Sequence, residues 1–371
     1  MRYYIIAGEA SGDLHGANLI KALTTMDNQA VVQCWGGDLM QAAGGKLVKH
    51  YRDLAFMGLV EVLFNLPTIF KNIRFCKKDM QAFAPDVLIC IDYPGFNLRI
   101  AKWAKQQNLK VIYFIAPQVW AWKENRVPAM RASIDKLLCI LPFEKKYFKD
   151  RWDWDVDYIG HPLMEVLAAQ MNLPHPLPRL KDEPIIALLP GSRKQEIEKK
   201  LPIMLSVAVH FPGHHFVVAQ APGLNDDWFA SLIVHQPNVH VVKSSTYALL
   251  QHSQAALVTS GTATLETALL GVPEVVCYKG NAITLALAKY FVKIKYIALV
   301  NLIMEKEVVK ELIQENLNTD NLVTELTKLL EDNPTQKNIQ ADYLALKNKL
   351  YSGEKASEVA ADIILRTLQH K

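Results

Sequence analysis

The sequence predicts an α/β protein made of two Rossmann-like domains, each a parallel sheet covered by helices. Three observations carry that expectation. Short apolar runs alternate with helix-patterned stretches through most of the 371 residues. Four prolines in Leu173-Pro-His-Pro-Leu-Pro-Arg-Leu-Lys-Asp-Glu-Pro184 interrupt the alternation, and proline disfavours both helix interior and inner strand. A second alternation restarts at Ile185-Ile-Ala-Leu-Leu189. The length suits two ordinary domains. The expected domains are residues 1–173 and 174–345, with a helical tail, 346–371, packing back on the first.

In the first half the strand candidates are Tyr3–Ala7, Val31–Trp35, Val87–Ile91, Lys110–Ile115 and Lys136–Ile140. In the second they are Ile185–Leu189, His215–Ala219, Val239–Val242, Ala255–Val258, Glu274–Tyr278 and Ile297–Val300. Helix patterns fall between them, at His15–Met26, Leu98–Gln107, Lys199–His210 and Ser245–His252. From Thr319 to Lys371 leucines recur at helical spacing. Repeated βα units imply parallel strands, and such sheets bind ligands beyond the carboxyl ends of their strands.

Half the residues are hydrophobic and 21% are charged, which suits large globular cores. A net charge of +4 is modest and does not demand nucleic acid. The five cysteines lie far apart with no C-x-x-C, so neither a zinc ribbon nor a disulfide framework is suggested and a reduced cytosol fits. Arg2–Ala7 is too short for a signal peptide. No uninterrupted apolar run reaches the roughly 18 residues a membrane span needs. The histidines form no cluster, since His214 and His215 would point to opposite faces of a strand, so no metal or other cofactor is expected.

Five loops carry the candidate chemistry. After the first strand, Gly8-Glu-Ala-Ser-Gly-Asp-Leu-His-Gly16 packs Glu9, Ser11, Asp13 and His15 into one turn, where the dinucleotide fingerprint G-x-G-x-x-G is missing. His15 could serve as a general base, or simply pack at a helix start. Asp92 follows Val87–Ile91 at a strand's carboxyl end, and Tyr93-Pro94-Gly95 turns the chain there. It suits proton abstraction from a hydroxyl and equally a turn cap. Pro117-Gln-Val-Trp-Ala-Trp-Lys-Glu-Asn-Arg126 brings amides, cations and tryptophans together. Gln118 and Trp120 could wall a sugar or lipid site, or pack between elements. In the second half, Pro190-Gly-Ser-Arg-Lys-Gln-Glu196 offers a permissive turn at Gly191 and phosphate donors in Ser192 and Arg193.

The stretch Ser260-Gly-Thr-Ala-Thr-Leu-Glu266 follows an apolar strand candidate and opens a helix pattern. Small residues let the backbone of Ser260, Gly261, Thr262, Ala263 and Thr264 approach a ligand, and a helix start offers unpaired N–H groups to an anion. Glu266, one turn in, is placed for sugar hydroxyls. The picture is a nucleoside diphosphate with its ribose on Glu266. A capped helix with solvated Glu266 is the plainer reading. Residues 54–78 differ from all of these: Phe56, Met57 and Val60 sit in an almost wholly apolar run, and Pro67 opens a helix flanked by Lys71, Arg74, Lys77 and Lys78. An apolar surface rimmed by cations suits anionic lipid or acyl chains, and also a buried helix pair with a basic flank.

These residues resemble a known family nearly end to end. Ala7–Gly16, Phe56-Met-Gly-Leu-Val-Glu-Val62, Ile91-Asp-Tyr-Pro-Gly-Phe-Asn97, Ile115-Ala-Pro-Gln-Val-Trp-Ala-Trp122, Tyr158-Ile-Gly-His-Pro-Leu163, Leu189-Pro-Gly-Ser-Arg193 and Thr259–Glu266 together are similar to the lipid A disaccharide synthases. The resemblance implies an inverting glycosyltransferase of the GT-B type, its two domains facing across a cleft. It implies transfer of 2,3-diacylglucosamine from UDP to 2,3-diacylglucosamine 1-phosphate, giving a β-1,6-linked disaccharide phosphate and UDP. Asn301 in Ala298-Leu-Val-Asn301 enters as a donor-site residue by resemblance alone, with Val300 where the family suggests proline. Lys310 also replaces a familiar proline, in what reads as a helix start. With the resemblance the candidate catalytic set is Asp92, with His15 and Glu9 as alternatives, and Arg193 at the leaving group. The acceptor or lipid set is Ser11, Phe56, Met57, Val60, Gln118 and Trp120. The expected partners are the two acylated sugars and the cytoplasmic face of a Gram-negative inner membrane, with a homodimer left open. The alternative is a UDP-N-acetylglucosamine epimerase or a soluble UDP-sugar transferase, with a membrane-bound scaffold weaker still because it leaves two polar loops unexplained.

Overall fold

The computed structural model describes residues 1–54, 66–121, 123–170, 184–233, 236–243, 245–280, 295–331 and 334–369. The expected domain break at 173–174 lies outside these residues, as do Phe56, Met57 and Val60. The chain forms two compact units, Met1–Pro162 with Leu350–Lys371, and Leu163–Lys349.

The first unit is a seven-stranded sheet in the order β3-β2-β1-β4-β5-β6-β7. Its strands are β1 (Arg2–Ala7), β2 (Val31–Gly36), β3 (Lys46–His50), β4 (Val87–Ile91), β5 (Lys110–Phe114), β6 (Lys136–Cys139) and β7 (Asp157–Tyr158). Every pairing is parallel. Alternate residues enter different cores. Tyr4, Ile6, Leu88, Cys90 and Tyr113 face one side with α3 (Leu66–Phe83) and α4 (Pro94–Gln106). Tyr3, Ile5, Ile89, Ile91 and Phe114 face the other with α1 (Ala10–Met26). The last helix of the chain, residues 356–369, closes that second core: Ala356, Ala360, Ala361, Ile364 and Leu368 recur at helical spacing and pack with Leu19, Ile20 and Leu23 of α1. The chain returns to this unit at Leu350, whose carbonyl accepts from the His161 backbone at 3.2 Å.

The second unit is a six-stranded sheet in the order β10-β9-β8-β11-β12-β13. Here β8 is Ile185–Leu189, β9 His215–Gln220, β10 Val239–Lys243, β11 Ser253–Thr259, β12 Glu274–Tyr278 and β13 Lys310–Ile313, again all parallel. In both sheets the strand order reverses beside the first strand of the unit. The reversal lies between β1 and β4 in one and between β8 and β11 in the other. Such a switch point leaves a crevice at the carboxyl ends of the two strands.

Two readings of the sequence need correction. Ile297–Val300 is not a strand: a helix begins at Leu299 and runs to Met304. A four-residue apolar run cannot distinguish the two by period. Lys310 does not start a helix but the edge strand β13. The edge strands β3, β7 and β13 were not anticipated: they are short and mostly half-buried, so their residues carry little apolar signal.

Candidate active sites

At the first switch point Ala7 is paired with Ile91, so Gly8–Gly16 and Asp92 leave the sheet side by side. A Cβ on Gly8 would lie 2.3 Å from the Tyr93 ring, so only glycine lets this ring seat against the first loop. The backbone here is strained. Asp92 has φ 42°, Tyr93 φ 49° and Ile115, at the end of β5, φ 66°, the last a costly conformation for a β-branched residue. Buried side chains fix the turn: the Asp92 carbonyl accepts from Asn97 Nδ2 at 2.8 Å and from Tyr113 Oη at 2.6 Å. Strain held this way accompanies functional positions. Asp92 as a residue remains exposed at the surface. Partial desolvation, with the Glu9 carboxylate beside it, pushes its pKa up to about 6.

The acidic loop after β1 divides its labour. Glu9 is the N-cap position of α1, and Ser11 is exposed on the first turn. Asp13 is buried and accepts from the backbone N–H of Gly37, Leu39 and Met40 at 2.7, 3.1 and 3.0 Å. It holds the start of a short helix, α2 (Asp38–Ala42), and is structural. His15 is buried, and desolvation lowers its pKa to about 4, which makes it a weaker base than Asp92. Gln118 is exposed. Trp120 donates from Nε1 to Glu144 Oε1 at 3.0 Å. Glu144, on the first turn of α6 (Pro142–Trp152; α5 is Val127–Ser133), is fully buried and also accepts from the Ile140 and Leu141 N–H groups. Burial pushes its pKa up to about 7. This support for the tryptophan loop was missed, although a Glu three residues into a Pro-started helix is a capping signal.

At the second switch point Leu189 is paired with Val258. The loops that follow β8 and β11 enclose a pocket of about 490 Å³. One wall is Gly191, Ser192, Arg193 and Glu196, from the start of α8 (Lys194–Leu205; α7 is Leu163–Gln170). The other is Ser260, Gly261, Thr262, Ala263 and Glu266, from the start of α11 (Thr262–Leu269). Leu189, Ala219 and Thr259 at the strand ends line it too, with Ala221 and Pro222, which lead into α9 (Asp226–Ala230), and Thr246, which opens α10 (Thr246–Gln251). Gly191 has φ 107° and Gly261 φ 148°, conformations that favour glycine. Thr262 and Ala263 of α11's first turn line this pocket, and a helix start carries a partial positive charge. Thr264 is buried beneath it, its hydroxyl donating to Gly261 O at 2.9 Å. Glu266 accepts from Tyr247 Oη at 2.8 Å, a partner the sequence reading missed. Burial raises the Glu266 pKa, and the Tyr247 bond opposes it. Arg193 pairs with Glu196 at 3.2 Å and is largely exposed.

Asn301 is not part of this lining. It is fully buried on α12 (Leu299–Met304), donating to Val309 O and Glu311 Oε1 at 2.9 Å each and accepting from the Val308 and Val309 N–H groups. Its amide has no capacity left for a ligand. Glu311 in turn accepts from the Ile297 and Ala298 N–H groups, and Ser260 donates to Ile297 O. Asn301 therefore braces the segment behind Ser260. Among the described residues no group of three acidic, histidine or cysteine side chains could hold a metal ion.

A family model described as lipid-A-disaccharide synthetase matches residues 3–364. A lipid-A-disaccharide synthase of Syntrophus aciditrophicus (strain SB) is 36% identical over 98% of both chains. Lipid-A-disaccharide synthase 1 of Legionella pneumophila (strain Paris) is 36% identical over 100% of this chain and 98% of its own. Among solved structures, the glycotransferase of kitacinnamycin covers 99% of both chains at a TM-score of 0.69 and 15% identity. The UDP-GlcNAc 2-epimerase of Neisseria meningitidis bound to UDP-GlcNAc covers both chains fully at a TM-score of 0.65 and 16% identity. At those identities the solved structures speak for the fold alone, two parallel α/β sheets of the GT-B class.

Proposed function

This chain belongs to the lipid-A-disaccharide synthetase family, and from that premise we propose how its two sites divide the reaction. It is a glycosyltransferase of lipid A biosynthesis. In our reading UDP-2,3-diacylglucosamine is the donor and 2,3-diacylglucosamine 1-phosphate the acceptor. The observation that carries this reading is the 490 Å³ pocket at the second switch point. Ser192, Arg193 and the first turn of α11 receive the diphosphate there, and Glu266, steadied by Tyr247, takes the ribose hydroxyls. The acceptor's 6-hydroxyl gives its proton to Asp92 and attacks the anomeric carbon opposite the departing UDP, so the configuration inverts without an enzyme-bound sugar. Arg193 and the α11 N-terminus absorb the charge of the leaving group. Asn301 acts by bracing Ser260 rather than by touching the donor.

The direct test measures UDP release with both acylated sugars present, against non-acylated controls. Release that needs both acylated sugars supports the reading. Release without any acceptor, or equal rates with non-acylated sugars, would return the case to an epimerase or a soluble transferase.

The pH dependence follows from the sign of the Asp92 shift. A base works ionised, and its pKa is raised to about 6. The rate should therefore fall as pH drops through about 6. Glu9→Gln removes a negative charge that raises this pKa, so the acid limb of kcat/KM should move to lower pH. An unmoved limb would separate Glu9 from Asp92. A collapse of turnover at every pH would transfer the base role to Glu9.

We also propose that α3 docks on the cytoplasmic surface of the membrane. Ile73, Cys76, Met80 and Phe83 face the core, while Phe70, Lys71, Arg74 and Lys78 are exposed on the opposite side, and Phe75, partly exposed beside them, rests its ring against Trp35. Aromatic side chains beside cations suit an anionic bilayer surface. No helix among the described residues is long and apolar enough to cross a membrane. Lys71, Arg74 and Lys78→Glu should abolish co-sedimentation with anionic vesicles at low salt, and added salt should weaken wild-type binding. Binding indifferent to both would remove the electrostatic part.

A further inference from the structure

A buried ammonium lies behind the pocket wall and has no part in the chemistry above. The Lys200 side chain is only 3% exposed, and a lysine is almost never so buried without partners. Its Nζ donates to Glu196 Oε2 at 3.4 Å, one turn earlier on α8, and to Thr259 Oγ1 at the end of β11. Glu196 and Thr259 both line the pocket, whereas Lys200 stands outside it. The other oxygen of Glu196 is taken by Arg193 Nη1 at 3.2 Å. The turn backbone rests on the same pair: a Cβ on Gly191 would sit 3.3 Å from Thr259 Cγ2 and 3.5 Å from Glu196 Oε2. One carboxylate is thus shared by two cations, one buried and one largely exposed, at the wall of a pocket that takes an anion.

A carboxylate there repels a diphosphate unless its charge is met from elsewhere. The exposed Arg193–Glu196 contact is a weak surface pair and easily surrendered. The Lys200 contact is the one that persists, because leaving its buried ammonium without a carboxylate is costly, whereas Glu196 itself is half-buried. Burial pulls the Lys200 pKa down, and the nearby Glu196 opposes this.

We propose that Lys200 is a positioning residue of the donor pocket: it holds and neutralises Glu196 from behind, so that Arg193 can turn from Glu196 to the diphosphate. This rests on the donor reading of the pocket given above. It also gives the Thr259 contact a purpose, since Lys200 ties the wall from α8 to the wall that follows β11.

Calorimetric titration of the full chain with UDP tests it, using Lys200→Met, Glu196→Gln and the double variant. Lys200→Met should weaken UDP binding about tenfold, the scale of an unmet charge a few ångströms from an anion. Glu196→Gln should bind UDP at least as well as the wild type. The double variant should recover most of the affinity lost in Lys200→Met. If Lys200 were only a structural staple, Lys200→Met would lower the melting temperature with unchanged UDP affinity, or the double variant would bind no better than Lys200→Met, and either result overturns the proposal. Should Lys200→Met fail to fold, Glu196→Gln decides: weaker UDP binding makes Glu196 a ligand and refutes the role, whereas equal or tighter binding supports it. A wild-type chain that binds no UDP would instead remove the donor reading, and this inference with it.

Discussion

Replacing Asp92 by Asn is expected to lower turnover by about 10²–10⁴ while UDP binds with wild-type affinity. The carboxylate is the only part of the residue that changes. Its strained backbone is fixed by Asn97 and Tyr113 through the main-chain carbonyl, which the substitution leaves alone. The melting temperature should therefore be close to that of the wild type. The loss belongs to the proton-transfer step and appears in kcat, because the donor pocket is built from other strands. Near-normal turnover in Asp92→Asn would pass the base role to Glu9 or His15. Of these, His15 is the weaker candidate, because burial holds its pKa near 4.

Arg193→Ala should cost about 2–4 kcal/mol in kcat/KM, the scale for removing one donor from developing negative charge. The side chain is exposed and its partner Glu196 is also held by Lys200, so folding should be little affected. Two consequences separate this role from simple substrate affinity. The defect should fall mainly on kcat, since charge grows on the diphosphate as the bond to the sugar breaks. Glu266→Ala, on the ribose side, should instead raise KM for the donor. Unchanged steady-state kinetics in both variants would displace the diphosphate from this pocket.

Much of this was legible because it is local. Strands such as Val87–Ile91, Ile185–Leu189 and Glu274–Tyr278 stand where their apolar runs place them. Glycine at 191 and 261 announces backbone that other residues rarely adopt, and both residues stand in the lining of one pocket. The Ile297–Val300 misreading shows the limit of that signal, since a short apolar run carries no period. Asn301 shows a second limit. Its motif marks it as important, but only its four internal hydrogen bonds reveal that it braces the site and does not line it.

The sequence alone therefore determined the α/β class, the loops that follow the strand ends and the family, because each is written in contiguous residues. The tertiary structure decided which loops meet. Strand order makes β8 and β11 neighbours although two other strands lie between them in the chain, and so brings Arg193 and Ser260 to one pocket. It likewise set Lys200 against Thr259, 59 positions away, Trp120 against Glu144, and Asp13 against the helix after β2. No periodicity encodes such pairs. They arise because a buried charge or a strand end must find its partner among whatever the sheet order places beside it.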